Sequence, residues 1–236
     1  MMNQAMTVEQ TQIFYARIAG FVYLLLIALY MSGEFLISGI VGDSDFAATA
    51  QSVVASERLY RTALILQLIT TVSTVVLAYA LYITVRPVNE RLAQMAMFWR
   101  LGESFIGAVV VILSFVKLRI YTAANAVSGL ELDQWQALMT LARSAGSTGF
   151  NFSTLFFGVG SIVFFHLFLK AGYLPKVQSV FGIFASILVV LTSFSGLVFP
   201  EHGDIIQFGW VPMFISEIVT GLWLLFRGIR IHRHEA

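Results

Sequence analysis

The chain of 236 residues has no cysteine, and only 11% of its residues are charged. Without cysteine it cannot form disulfides, use a thiolate as a nucleophile or bind zinc or iron–sulfur clusters through sulfur. The formal net charge is only +1, and lysine and arginine stand mostly at the ends of apolar runs. Because nucleic acid binding requires a basic patch or stripe, no nucleic acid partner is expected.

Recognisable catalytic motifs are also missing. The sequence has no HExxH, GxSxG, GKS or GKT segment, and its long apolar runs contain no lysine that could hold retinal. His166 is the one histidine in such a run, and a lone histidine is more often structural than a ligand of haem or metal. We therefore expect no cofactor and no metal, and we favour a non-enzymatic protein. An intramembrane enzyme with Glu103 or Glu217 as general acid or base is the alternative.

What the sequence has in excess is apolar surface. Hydrophobic residues make up 58% of the chain, and the mean hydropathy is +0.83, well above the values of soluble domains. Apolar runs of about 20 residues, the length that crosses a bilayer, cover 18–41, 63–85, 93–116, 149–169, 180–198 and 205–226. The sequence thus predicts an all-α, polytopic membrane protein, with six transmembrane helices in one bundle and a single domain.

Two of the connections are predicted to be helical as well. Residues 45–57 and 131–145 carry apolar side chains at helical spacing, which predicts short helices at the membrane interface. For 131–145, an outward extension of the fourth transmembrane helix is the alternative. Gly209 and Pro212 interrupt the sixth run, so its regular part is expected to begin only at Pro212, in the first turn of the helix.

The distribution of basic residues predicts the orientation, because cytoplasmic loops collect lysine and arginine. One side of the predicted bundle carries Arg17, Arg86, Arg91, Lys170, Lys176, Arg227, Arg230 and Arg233. The opposite side is slightly acidic in balance. Both termini are therefore expected to lie in the cytoplasm.

Ionisable residues fall inside the predicted spans, where a charged side chain is costly unless it is paired or neutralised. They are Glu34, Arg100, Glu103 and Glu217. Arg100 and Glu103 lie three residues apart, on one face of a helix. Tyr23, Tyr30 and Glu34 recur on one face of the first helix. Both faces are predicted to point into the bundle.

Depth along the helices indicates which of these charges can meet. At 1.5 Å per residue, Arg100 and Glu217 both lie roughly 14 to 15 Å above the basic residues at the inner ends of their helices, near the bilayer midplane. Arg100 is therefore predicted to pair with Glu103 or Glu217. Glu34 lies nearer the outer boundary. Either Arg61 neutralises Glu34, or at least one of the three carboxyls is protonated.

Several fragments together resemble a known family. They are Ala16-Arg17-Ile18-Ala19-Gly20, Arg86-Pro87-Val88-Asn89, Arg100-x-x-Glu103, Gly172-Tyr173-Leu174-Pro175, and Glu217 followed by Leu222-Trp223-Leu224-Leu225. In this order they resemble an uncharacterised bacterial family of six-helix membrane proteins, which is catalogued only as a domain of unknown function. The resemblance implies a bacterial inner (plasma) membrane protein with charges at Arg17, Glu34, Arg61, Arg100, Glu103 and Glu217, and it implies no activity.

The hypothesis on function concerns the predicted charge cluster. Its members are Tyr23, Tyr30, Glu34, Arg61, Arg100, Glu103 and Glu217. The cluster either binds a small polar, cationic or lipidic ligand or fixes the packing of the helices. An accessory subunit of a larger membrane complex and a small proton-coupled transporter are the alternatives. Expected partners are membrane lipids, together with another membrane protein or a second copy of the chain.

Overall fold

The computed structural model describes residues 7–42, 45–126, 129–202 and 208–230. Its helices are α1 (Val8–Val41), α2 (Phe46–Ala55), α3 (Glu57–Val85), α4 (Glu90–Ala126), α5 (Leu132–Ala171), α6 (Lys176–Val198) and α7 (Val211–Phe226). Short 3-10 turns, Pro200–His202 and Phe208–Trp210, lie between α6 and α7. These ranges contain no strand. Six segments, all but α2, are long and apolar enough to cross a membrane, so the predicted all-α membrane fold is confirmed.

Local sequence signals account for where several helices begin and end. The hydroxyl of Thr7 accepts a hydrogen bond from the backbone N–H of Gln10 at 3.2 Å, and the Gln10 side chain accepts one from the N–H of Thr7 at 3.0 Å. This reciprocal pair starts α1 as a capping box. The carboxylate of Asp45 starts α2 in a similar way, by accepting from the N–H of Ala48. Helix α5 ends at Gly172, whose φ of 66° is readily adopted only by glycine.

The sixth span begins as its glycine and proline predict. Helix α7 starts at Val211 with Pro212 in its first turn, where the missing N–H of proline costs no hydrogen bond. The 3-10 turn Phe208–Trp210 precedes it. The predicted late start of the regular helix is therefore confirmed to within one residue. Positions 205–207 of the predicted run lie outside the described residues.

Residues 132–145 form the beginning of α5 and not a separate interfacial helix, which confirms the alternative of an outward extension of the fourth transmembrane helix. That helix has 40 residues, so it is roughly 60 Å long, about twice the thickness of the hydrocarbon core. Gly146 and Gly149 do not break it, because a glycine weakens a helix interior by only about 1 kcal/mol and no proline follows Leu132 within the helix. Trp135 and Met139 are buried on this extension. Within 45–57, in contrast, Phe46–Ala55 form the separate helix α2, as predicted, and Glu57 already begins α3.

The six long helices form a closed ring in which sequence neighbours are also spatial neighbours. Going round, α1 packs on α3, α3 on α4, α4 on α5, α5 on α6, α6 on α7, and α7 back on α1. Glycine makes the closing contact possible, because a Cβ on Gly20 of α1 would overlap backbone atoms of Gly221 and Leu225 in α7. Such a ring gives each helix a sector that faces none of its neighbours and points to the centre.

The two ends of the ring are packed differently. We call the end where α1 begins and α7 ends the proximal end, and the opposite end the distal end. At the proximal end, the side-chain amide of Gln12 donates to the carbonyl of Thr84 at 2.8 Å and to the hydroxyl of Tyr173 at 2.7 Å. The main apolar core fills this half, and Phe164, Phe165 and other core side chains there are at most 1% exposed. The distal half has only a smaller core, between α2 and the distal parts of α3, α4 and α5.

Candidate functional site

Arg100 lies at the centre of the ring and is almost fully buried, with 2% of its surface exposed. Its Nη1 atom lies 3.1 Å from Oε2 of Glu103, one turn further along α4. On the α5 side its guanidinium carbon lies 4.6 Å from the centre of the Phe157 ring, a distance at which the ring face attracts a cation. Phe157 in turn stacks on Trp210 with ring centres 5.8 Å apart. Arg100 is therefore held between a carboxylate and an aromatic wall.

The polar atoms of this pair are not fully satisfied. Nε and Nη1 of Arg100 and Oε2 of Glu103 are buried, and none of them has a hydrogen-bond partner among the described residues. The two side chains are thus close enough for an ion pair, but their atoms are not aligned for a hydrogen bond. A buried donor or acceptor without a partner costs roughly 1 to 3 kcal/mol, and more when it is charged. Such atoms in a native protein indicate a place for water, an ion or a ligand.

Glu217 of α7 faces the same space. Its neighbours Ser216 and Thr220 accept hydrogen bonds from Gln178 of α6, whereas Gly221 packs against α1. Glu217 lies between these two faces of α7, so it points to the centre of the ring. It interacts electrostatically with Arg100. Within the described part of the chain it has no ion pair inside 4 Å, so one guanidinium serves two carboxyls.

Tyr23 of α1 completes the group. It is 3% exposed, and it interacts electrostatically with Arg100, Glu217 and Glu103. The absence of a side chain at Gly221 lets α7 come close to the Cβ of Tyr23. The structure therefore brings together Tyr23, Arg100, Glu103 and Glu217, which we call the central cluster.

Tyr30 and Glu34 lie about 10 to 16 Å further along α1 toward the distal end. Oε1 of Glu34 accepts a hydrogen bond from the Gln67 side chain of α3 at 2.6 Å. Lys117 of α4 and Tyr30 both interact electrostatically with Glu34. These four residues, Tyr30, Glu34, Gln67 and Lys117, form what we call the distal set.

Arg61 does not take part in either group. Its Nη2 atom lies 2.6 Å from Oε1 of Glu57, four residues earlier on α3, and both side chains are more than one third exposed. The alternative in which Arg61 neutralises Glu34 is therefore wrong for this structure. A partner one helical turn away at the surface requires no desolvation, whereas reaching Glu34 would remove the guanidinium from water.

Four residues were missed by the sequence analysis. Two belong to the distal set, Gln67 and Lys117, and two form the aromatic wall beside Arg100, Phe157 and Trp210. Lys117 was excluded because the third span was ended at 116, whereas α4 continues to Ala126. Lys117 lies 14 residues after Glu103, which is close to four helical turns, so both residues lie on nearly the same face of α4. This spacing could have identified Lys117 as a member of the polar interior. No sequence signal distinguishes Phe157 from the other phenylalanines of the chain.

His166 is exposed on the outside of the ring, away from the central cluster. In the described ranges there is no group of three or more histidine, aspartate or glutamate side chains that could hold a metal ion.

A ring of six apolar helices with charged side chains at its centre defines a polytopic helical-bundle membrane protein. A family model described as a domain of unknown function, DUF4386, matches residues 18–228. The chain belongs to this family, and the resemblance found in the sequence fragments is thereby confirmed. No curated protein and no solved structure matches the chain.

Proposed function

We propose that this protein is a non-enzymatic binding protein of the membrane, and that the central cluster binds a small organic cation. The observation that carries the proposal is the charge balance, because Glu103 and Glu217 face a single guanidinium. One further positive charge would balance the site. The ring face of Phe157 and the phenol of Tyr23 add the aromatic surface that binds organic cations well.

A purely structural role for the cluster is less consistent with its geometry. A polar network that serves only to fix helix packing is expected to satisfy all of its buried atoms. Here the buried Nε of Arg100 and Oε2 of Glu103 lack partners among the described residues. Glu217 also keeps some accessible surface although it faces the centre, which leaves room for a ligand beside it.

The protein is proposed to lie in the bacterial inner membrane with its proximal end in the cytoplasm. The basic residues at or next to the proximal ends of the helices support this orientation: Arg86, Arg91, Lys170, Lys176, Arg227 and Arg230. Arg17 lies in the proximal part of α1. Lysine and arginine near the ends of spans determine orientation during membrane insertion.

The test is a binding titration with choline and dimethylbutanol, its uncharged isostere, on the full chain in lipid nanodiscs. Choline should bind and dimethylbutanol should not. The variant Glu217→Gln should raise the Kd for choline at least about tenfold, because loss of a charge contact in a desolvated site costs more than roughly 1.4 kcal/mol. Glu57→Gln is the matched control, since Glu57 is a half-exposed carboxyl on α3. Equal Kd values for the two probes, or for the two variants, would contradict the proposal.

A further inference from the structure

The distal half of the ring contains a continuous band in which no residue is fully buried. In α1 the band lies between Leu26 and Gly33, in α3 between Leu64 and Thr74, in α4 between Ser104 and Val111, and in α5 between Gly146 and Ser153. Protein interiors are normally close-packed, so inward-facing residues in a filled bundle would have almost no accessible surface. The interior of the ring is therefore packed less tightly in this band than in the proximal half.

Contacts between the helices show that the four stretches lie at the same depth. Gly33 of α1 packs against the carbonyl of Ala63 and the side chain of Gln67 in α3. The hydroxyl of Ser104 in α4 donates to the carbonyl of Thr71 in α3 at 2.7 Å. The hydroxyl of Ser153 in α5 donates to the carbonyl of Glu103 in α4 at 3.0 Å.

The inward-facing positions of this band are polar or small. Tyr30 interacts with Glu34, and Gln67 donates a hydrogen bond to the same carboxylate. Gly107 lies between Thr71 and the hydroxyl of Ser153. Tyr30, Gln67, Thr71 and Gly107 all keep accessible surface. Outward-facing positions at this depth are apolar, and Val72 and Ile112 are each 60% exposed, as expected for a surface covered by lipid.

Below this band the ring is closed. The backbone of α5 at Gly160 packs directly on α4, where an added Cβ would come within 3.2 Å of the carbonyl of Ala96. Phe164, Phe165 and Phe168 of the proximal core are each 1% exposed. The central cluster therefore lies at the floor of the band, next to the main apolar core of the proximal half.

We infer that a water-filled crevice, lined by Tyr30, Gln67, Thr71 and Gly107, connects the distal face to the central cluster. The crevice rests on the packing of the helices and not on the proposed function. The unpartnered Nε of Arg100 at the floor of the crevice is an independent sign that water or a ligand reaches this depth.

Single-cysteine labelling tests the crevice without a cysteine background, because the native chain has none. Thr71→Cys and Gly107→Cys report on the crevice, and an added Cβ at Gly107 meets its neighbours only at 3.6 Å. Val72→Cys and Ile112→Cys are the matched controls on the lipid face at the same depth. Leu77→Cys, at a fully buried position of α3 in the main apolar core, reports on the proximal half. The reagent is a membrane-impermeant methanethiosulfonate that carries a trimethylammonium group, applied to sealed vesicles from either side.

The two crevice variants should react from the distal side at least about tenfold faster than the lipid-facing controls, because only a thiol in contact with water forms the reactive thiolate. Leu77→Cys should not react from either side. Two outcomes would contradict the inferred crevice: reaction of Thr71→Cys and Gly107→Cys from the proximal side, or reaction at the rate of the lipid-facing controls.

Rapid labelling with no binding of choline would refute the proposed function and leave the crevice intact, so the two failures are distinguishable.

Discussion

Replacement of Arg100 by leucine is the most informative single perturbation of the bundle. The guanidinium is 2% exposed and lies 3.1 Å from Glu103, so Arg100→Leu leaves a buried carboxylate without its counterion. Breaking a buried ion pair by removing one partner costs about 3 to 5 kcal/mol. Loss of the contact with the ring of Phe157 adds about 0.5 to 2 kcal/mol. The free energy of unfolding should therefore fall by at least about 3 kcal/mol.

The double variant Arg100→Leu/Glu103→Leu should be more stable than Arg100→Leu alone. Replacing both partners of a buried pair by apolar residues is often neutral or stabilising, so part of the loss should be recovered. Recovery should be incomplete, because Glu217 also interacts with Arg100 and keeps its carboxyl. We expect a coupling energy of about 1 to 3 kcal/mol between positions 100 and 103.

The measurement is reversible unfolding of the four chains of the cycle in mixed micelles, followed by circular dichroism. The pair Arg61 and Glu57 is the control cycle, since both side chains are more than one third exposed and exposed pairs at this spacing couple by only about 0.3 to 0.5 kcal/mol. Additivity within about 0.5 kcal/mol at positions 100 and 103 would show that the two side chains do not form an energetically significant pair, and the assignment of the central cluster would fail.

Three further predictions follow from the fold and the site. Gly20→Ala should destabilise the protein by about 1 to 3 kcal/mol through overpacking, because the added Cβ would overlap backbone atoms of α7. The control Gly39→Ala should be neutral in the same unfolding assay, because a Cβ added at Gly39 meets nothing within 4 Å. A cysteine at Asn89 should react with impermeant reagents only from the cytoplasmic side, and labelling from outside would reverse the proposed orientation. If the excess carboxyl of the central cluster carries a proton in the absence of ligand, choline binding should release it. Calorimetry of choline binding in two buffers of different ionisation enthalpy would then give different heats. The infrared band of the protonated carboxyl should disappear in Glu217→Gln or in Glu103→Gln. Equal heats together with an unchanged band would contradict the protonated state.

The sequence alone was sufficient to predict the membrane class, the number of spans and the late start of the last one. Lipid cannot hydrogen-bond to the backbone, so each span must be a continuous apolar helix of about 20 residues, and this requirement is visible in any single run. Pro212 has a fixed φ and no N–H, which restricts it to the first turn wherever the rest of the chain lies. Such features depend on neighbours in sequence, and no knowledge of packing is needed to predict them.

The extent of the long helices was less predictable. Residues 131–145 have the amphipathic pattern of an interfacial helix, yet they continue into α5. Hydropathy indicates where a helix leaves the hydrocarbon core of the membrane. It does not indicate where the helix itself ends, because a helix can continue into water. The same limitation placed Lys117 outside the third span, although α4 continues to Ala126.

Which charges meet was decided by the tertiary structure. Helical periodicity places Arg100 and Glu103 on one face, and the rise per residue places Glu217 at a similar depth, so the sequence was sufficient to predict that these three residues group together. The sequence was not sufficient to predict the partner of Glu34, because that partner depends on which face of α3 turns inward and on α4 lying next to α3 in the ring. That order brings Gln67 and Lys117 toward Glu34 and leaves Arg61 with Glu57 at the surface. The rotation of each helix about its axis is set by contacts such as that of Gly20 with Gly221, which join residues far apart in the chain and therefore leave no local pattern in the sequence.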